Sequence, residues 1–417
     1  MIDINQKHYR MMAVFYICLL IIYLYGFGLG FPSKQYYDEE HYVKFVRHLI
    51  YDHQYDVYSN NHPPLFHLLT AVSIKLLGDV SYAWRVVSFG AGLGVLLMTY
   101  MLAKKISNDS FMACFAVFFS VFDFISLTQA RIAMMSSLVL FFMLLSLWSF
   151  LRAFSEEDNV KVKELRNAGV FFGLAISTKL ISLNLLAFFI LIFFVEMKKK
   201  RVHRPLFFKF LNYFVLVPIV IFIGSQLFIP FLKNGNLAQI WDIFMFNIKY
   251  HSGMRQAHPY ASMWWSWPLM LRPIWFYFES QGHGLFITSV RGIICIGNPV
   301  IFWMIPVAVG NLLWDYFKTK SRIAGYILFG FLLQWMIYSF SKRLHMFHYF
   351  YYSMPFVSMA FALLASKIWR INKIGKGVIV AYCLLVIVMF VYWYPLLVGV
   401  PINYDYFAQH MWFKSWI

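Results

Sequence analysis

The stretch MMAVFYICLLIIYLYGFGLGF, Met11 to Phe31, decides the fold. It carries no charge, and at about 1.5 Å per residue it crosses a hydrocarbon core of roughly 30 Å. No small-residue cleavage site follows it, so it reads as an uncleaved anchor rather than a signal peptide. Further apolar runs give expected spans at 86–103, 110–127, 133–151, 167–178, 180–196, 210–231, 292–314, 323–340, 347–366 and 377–396. The chain of 417 residues is 61% hydrophobic and only 13% charged, which excludes an ordinary soluble domain. The expectation is an all-α polytopic membrane protein with about 11 transmembrane helices. It forms one transmembrane domain over 1–417, with large extracytoplasmic loops at 32–85 and 232–291 and a C-terminal four-helix part at 292–417.

A net charge of +18 raises the question of nucleic acid, but the placement of the charges answers it. With the N-terminus inside, most Lys and Arg fall in short cytoplasmic segments such as Lys104-Lys105 and Lys198-Lys199-Lys200-Arg201. That is the positive-inside signature, so the excess is topological and no nucleic-acid partner is expected. The four cysteines, Cys18, Cys114, Cys295 and Cys383, lie in or at the ends of apolar runs and read as small buried hydrophobes. Within the first loop, Leu65, Leu68, Leu69, Val72 and Leu76 have helical spacing behind Pro63-Pro64. That helix is too short to span and is expected along the interface.

Just past the first span stands Tyr36-Tyr37-Asp38-Glu39-Glu40-His41, an acidic pair on the side of the membrane that the topology makes exterior. Cations near span ends on the same side are Arg85, Arg131, Lys179, Lys342 and Arg343. Lys179 is the tip of a hairpin whose two arms are each short for the bilayer, so its charge lies below the outer surface. There it needs a polar cavity or an anion. Carboxylates among several cations fit group transfer from a lipid phosphate: cations hold the leaving phosphate while a carboxylate takes the acceptor's proton. His41 and His48 have helical spacing but no third ligand at a usable interval, so no metal site is expected.

At these residues the chain resembles the protein O-mannosyltransferase family, within the GT-C class of glycosyltransferases that use polyprenyl-phosphate sugars. The first stretch is Tyr36-Tyr37-Asp38-Glu39-Glu40-His41-Tyr42 with His62-Pro63-Pro64-Leu65, similar to the family's DE and HPPL motifs. The second is Gln129-Ala130-Arg131-Ile132-Ala133-Met134-Met135, followed by Ser177-Thr178-Lys179. The third is His258-Pro259-Tyr260-Ala261-Ser262-Met263-Trp264-Trp265-Ser266-Trp267-Pro268, with Arg272-Pro273 and Gly297-Asn298-Pro299. The fourth is Lys342-Arg343 leading to His348-Tyr349.

The resemblance implies a GT-C fold and inverting transfer of a hexose, mannose in the family, from polyprenyl or dolichyl phosphate to Ser or Thr of exported proteins. It implies Asp38 as catalytic base with Glu39 beside it. Arg85, Arg131, Lys179 and one of Lys342 and Arg343 would bind the donor phosphate, and His62, His258, Tyr260, Trp265, Arg272 and His348 would line the substrate site. The donor is a substrate and no cofactor is required. The implied location is a bacterial inner membrane with the site facing the periplasm or exterior, or the ER membrane in a eukaryote; membrane lipids are partners in either case. Two departures stand out: Ser136 replaces the acid that closes the family's SRIxxLD stretch, and the lumenal MIR domain of eukaryotic members is missing. Three alternatives remain: the same chemistry on lipid A or a cell-wall polymer, a lipid or sugar transporter, and a non-catalytic relative.

Overall fold

A computed structural model of the chain describes residues 4–53, 61–155, 160–200, 204–228, 238–253, 258–282, 288–341 and 343–417. Its first elements in order are α1 (Ile4–Gly26), α2 (Glu39–Tyr51), α3 (Leu65–Leu77), α4 (Ser81–Ser107), α5 (Ser110–Val121) and α6 (Phe124–Ala130). Then come α7 (Ser136–Ala153), α8 (Val162–Ile176) and α9 (Leu185–Lys200). Later helices include Arg204–Leu211, Val217–Gln226, Ala238–Gly253, Ile305–Thr319, Arg322–Met336, Met354–Ile371 and Lys373–Val398. Among the described residues, 8 helices are long and apolar enough to cross a membrane, or 9 with one bent pair counted as a single span. Two further expected spans coincide with shorter helices among the described residues, the apolar Met11–Gly26 within α1 and the 15-residue α8.

The bent pair is α5 and α6, where an unbroken span over 110–127 was expected; the two helices meet at 66°. Asp123 starts the second half, its carboxylate accepting from Ser126 N (2.9 Å) and Ser126 Oγ (2.8 Å). The carbonyl of Phe122 accepts from Asn298 Nδ2 at 3.0 Å. A break at membrane depth survives only where freed backbone groups find such partners. On its other side α6 lies so close to α4 that a Cβ on Gly92 would stand 2.4 Å from that of Ala130. Small residues permit this approach.

A small antiparallel sheet departs from the all-helical expectation. Strand β1 (Ile274–Gln281) pairs with β2 (Ser289–Cys295), and β2 pairs with β3 (Ile402–Asn403). It lies within and beyond the large loop expected at 232–291, which also holds the helix Ala238–Gly253. Helix α3 forms over the expected residues with its faces inverted relative to a water-soluble helix. Leu69, Val72 and Leu76 are exposed, while His67, Thr70 and Ser73 are buried. Such a helix suits a lipid surface outside and a polar-lined core inside. Of the cysteines, only Cys295 is fully buried; Cys18 and Cys114 are exposed, correcting the expectation of buried positions. Residues on an apolar span face lipid as readily as the core, so hydropathy alone does not separate the two.

Candidate active site

Tyr37, just before the acidic pair, has φ of 54°, a left-handed backbone that bulky residues seldom adopt. Its side chain pins that conformation: the hydroxyl donates to Met346 Sδ at 2.9 Å and the ring packs 4.8 Å from Phe276. The turn sends the two carboxylates that follow in different directions.

Glu39 goes inward and is fully buried. It receives Arg85 Nε on Oε1 at 2.8 Å and Arg85 Nη2 on Oε2 at 2.9 Å, and Oε1 also accepts from Ala133 N at 2.8 Å. Arg85 donates further to the carbonyls of Leu29 (3.0 Å) and Lys34 (3.3 Å), and its guanidinium lies 4.8 Å from the Tyr36 ring centre. Its donors are therefore committed within the protein. Arg131 is also buried and donates from Nη1 to the carbonyl of Tyr25 at 2.6 Å. These two arginines knit α1, α2, α4 and the α6–α7 connection together, and Arg131 keeps its Nε without a partner.

Asp38 stays toward solvent, half-buried at the N-cap position of α2, with no capping bond to that helix. Its carboxylate has no hydrogen-bond partner among the described residues. Burial pushes its pKa above the ordinary carboxylate value, while Lys179, His41, His258 and Arg343 pull it down. Lys179 sits in the turn between α8 and α9, its Nζ 5.5 Å from the Tyr349 ring and 5.9 Å from the Tyr352 ring. Burial, joined by Arg343, lowers its pKa to about 8, against the pull of Asp38. The Lys179 turn is tied to the first loop by Leu65 N donating to the carbonyl of Ser177 at 3.1 Å.

His348 is buried beside Tyr37 and Tyr349, its Nδ1 without a partner, and Tyr352 is buried nearby. His62 is buried with its ring 6.3 Å from that of Tyr42. His258 is exposed, its Nδ1 accepting from Tyr260 N at 3.1 Å. Arg272 stands over the Tyr260 ring at 5.5 Å and donates to the carbonyls of Pro259 (3.1 Å) and Ser415 (2.7 Å), so it clasps two backbone segments. Trp265 is exposed, and Ser136 is buried in the first turn of α7. Lys342 lies outside the described residues.

The sequence reading passed over the tyrosines. Tyr37, Tyr42 and Tyr349 lie within electrostatic reach of Asp38, and the Tyr349 and Tyr352 rings lie against Lys179. Their signal was there in the doublets flanking Asp38 and His348, but an aromatic-rich membrane protein hides it among interfacial rings. Hydropathy also missed an apolar cavity of about 750 Å³ between α8, α9, Val217–Gln226 and Ala238–Gly253. Its lining includes Phe172, Ile176, Leu183, Phe222, Trp241 and Leu180, the neighbour of Lys179.

Two family models divide the chain between them. Residues 12–231 match the dolichyl-phosphate-mannose-protein mannosyltransferase model, and residues 237–416 match the C-terminal four-transmembrane region of protein-O-mannosyltransferase. The polyprenol-phosphate-mannose–protein mannosyltransferase of Mycolicibacterium smegmatis is 22% identical, over 93% of this chain and 89% of that protein. The enzyme of the same name from Corynebacterium glutamicum is 24% identical, over 91% and 88%. In fold, the chain is similar to a structure of the S. cerevisiae protein O-mannosyltransferase Pmt1-Pmt2 complex bound to the sugar donor. The TM-score is 0.83 at 12% identity, covering 100% of this chain and 93% of that one. The chain belongs to the dolichyl-phosphate-mannose-protein mannosyltransferase family.

Proposed function

We propose that this chain transfers mannose from a polyprenyl-phosphate carrier to Ser or Thr hydroxyls of exported proteins, on the membrane face turned to the exterior. Family membership and the names of the bacterial relatives support donor and acceptor. The observation that carries the reading is a carboxylate, Asp38, without a hydrogen-bond partner among the described residues and acted on by Lys179 and Arg343. Leu180, the neighbour of Lys179, lines an apolar cavity.

In this reading the polyprenyl chain lies against Leu180, Leu183 and Phe222, and the phosphate meets Lys179 and Arg343. Asp38 takes the proton of the acceptor hydroxyl as its oxygen attacks the anomeric carbon. The bond from that carbon to the phosphate oxygen breaks, its electron pair leaves on the phosphate, and the configuration inverts. A carboxylate made more basic by burial is a better proton acceptor, and two side-chain cations stabilise the charge gathering on the leaving group. His348, with an unmet buried Nδ1, reaches the sugar or phosphate. Glu39, Arg85 and Arg131 hold the frame that presents Asp38.

The test is an assay of purified protein with polyprenyl-phosphate mannose, labelled in the sugar, and a Ser/Thr-rich peptide. Label on the peptide with stoichiometric release of polyprenyl phosphate supports the reading. Label transferred only to a lipid or glycan acceptor, or carrier moved without sugar release, overturns it.

A further inference from the structure

We infer that Gln334 and Trp335, adjacent on the helix Arg322–Met336, are positioning residues that set the donor-side and acceptor-side segments around Asp38. The inference rests on the mannosyl-transfer reading and names how its site is held in register.

Gln334 is buried and forms a reciprocal amide pair with Asn184: Asn184 Nδ2 donates to Gln334 Oε1 at 2.9 Å, and Gln334 Nε2 donates to Asn184 Oδ1 at 3.2 Å. Asn184 ends the short 3-10 turn Leu180–Asn184 that follows Lys179. That turn folds back on the lysine, since Ser182 Oγ donates to the Lys179 carbonyl at 2.9 Å. The amide pair therefore fixes the segment carrying Lys179 to the helix whose continuation, through Ile337–Phe340, carries Arg343. The two cations facing Asp38 share one clamp.

The next residue ties down a second segment, assigned to the acceptor side because its His258 acts on Asp38, the base for the acceptor hydroxyl. Trp335 Nε1 donates to the Trp264 carbonyl at 2.9 Å, and the two indoles meet edge-on at 5.3 Å. Trp264 opens the 3-10 turn Trp264–Leu269, just after the segment from His258, one of the groups acting on Asp38. The middle of that segment pairs with the backbone beyond Arg343, through Ser262 N to the His345 carbonyl at 3.0 Å and the Ala261–Met346 bridge. Simple glue between membrane helices would explain one such bond. It does not explain why neighbouring side chains reach two segments, far apart in the chain, that each carry a group acting on Asp38.

The experiment measures KM for polyprenyl-phosphate mannose and for peptide separately, with melting temperature and direct binding of polyprenyl monophosphate as controls. Gln334→Met raises the donor KM on the order of ten-fold and leaves the peptide KM within about two-fold, because a small misplacement of a binding group costs this much. Trp335→Phe, which keeps the ring and removes the N–H, raises the peptide KM several-fold and spares the donor KM. The exchanged pair, Asn184→Gln with Gln334→Asn, restores a reciprocal amide contact and returns the donor KM toward the original value. Both KM values moving together with the melting temperature, neither moving, or a folded exchanged pair that fails to recover, would overturn the inference. If the unaltered protein moves no mannose yet Gln334→Met weakens carrier binding, the proposed activity fails and the donor-side positioning stands. If carrier binding is also unchanged, the positioning fails.

Discussion

Glu39 and Arg85 form a two-pronged ion pair in which both side chains are fully buried, Nε to Oε1 at 2.8 Å and Nη2 to Oε2 at 2.9 Å. The pair separates two adjacent carboxylates into different kinds of work. Glu39 is consumed in joining α2, α4 and the backbone at Ala133, while Asp38 keeps its carboxylate free of any cap bond to α2. A buried ion pair adds little stability over an apolar pair, but removing one partner strands a charge.

Glu39→Ala and Arg85→Ala should therefore each destabilise the fold, by about 3–5 kcal/mol. Because each removes the same contact, the double variant should be no worse than the sum and should show a clear coupling energy. Thermal melts in detergent read this directly, and single variants melting like the parent would contradict the structural role.

Asp38→Asn should cut transfer on the order of a hundred-fold or more, as expected when a positioned base is lost. The melting temperature and the binding of polyprenyl phosphate should be retained, since the carboxylate makes no hydrogen bond within the described structure. Near-normal turnover in this variant would remove Asp38 from the role of base.

The pH dependence of transfer should be bell-shaped, because the reaction needs Asp38 ionised and Lys179 protonated. Activity falls on the acid side as Asp38 takes up a proton, at a pH displaced upward from the ordinary carboxylate range. It falls again on the alkaline side as Lys179 loses its proton at about 8. Lys179→Arg keeps its charge through this range and should erase the alkaline limb while leaving the acid limb in place. An alkaline limb unchanged in that variant would assign it to another group.

The apolar cavity should discriminate by chain length. Leu183→Trp fills part of it and should raise the KM for a long polyprenyl donor on the order of ten-fold, as overpacking by one or two kcal/mol does. A short-chain analogue that does not reach Leu183 should be handled as before. Equal effects on both donors would place the lipid chain elsewhere.

Much of this was legible without coordinates. Period and length in the apolar runs gave the membrane class, and the helix at Leu65–Leu77 followed from its spacing. The order of the four motif stretches pointed to the family that the comparisons establish. Candidate residues could be gathered on one side of the membrane, because topology follows from charge and length. Their division could not be read. Arg85, Arg131 and Lys179 are alike in sequence, each a cation at the end of an apolar run. Which of them meets a carboxylate, a carbonyl or an open cavity depends on partners as distant in the chain as Tyr25, Glu39 and Tyr349.

The sequence by itself determined that this is a helical membrane protein of the mannosyltransferase family. It did so because hydrophobic length and charge bias act locally and survive without knowledge of packing. Only the tertiary structure decided that Glu39 is a strut and Asp38 the free carboxylate. The reason is geometric: a left-handed turn at Tyr37, held by Met346 and Phe276, aims two neighbouring side chains at opposite surroundings. One meets Arg85 in a dry interior, and the other feels the charge of Lys179.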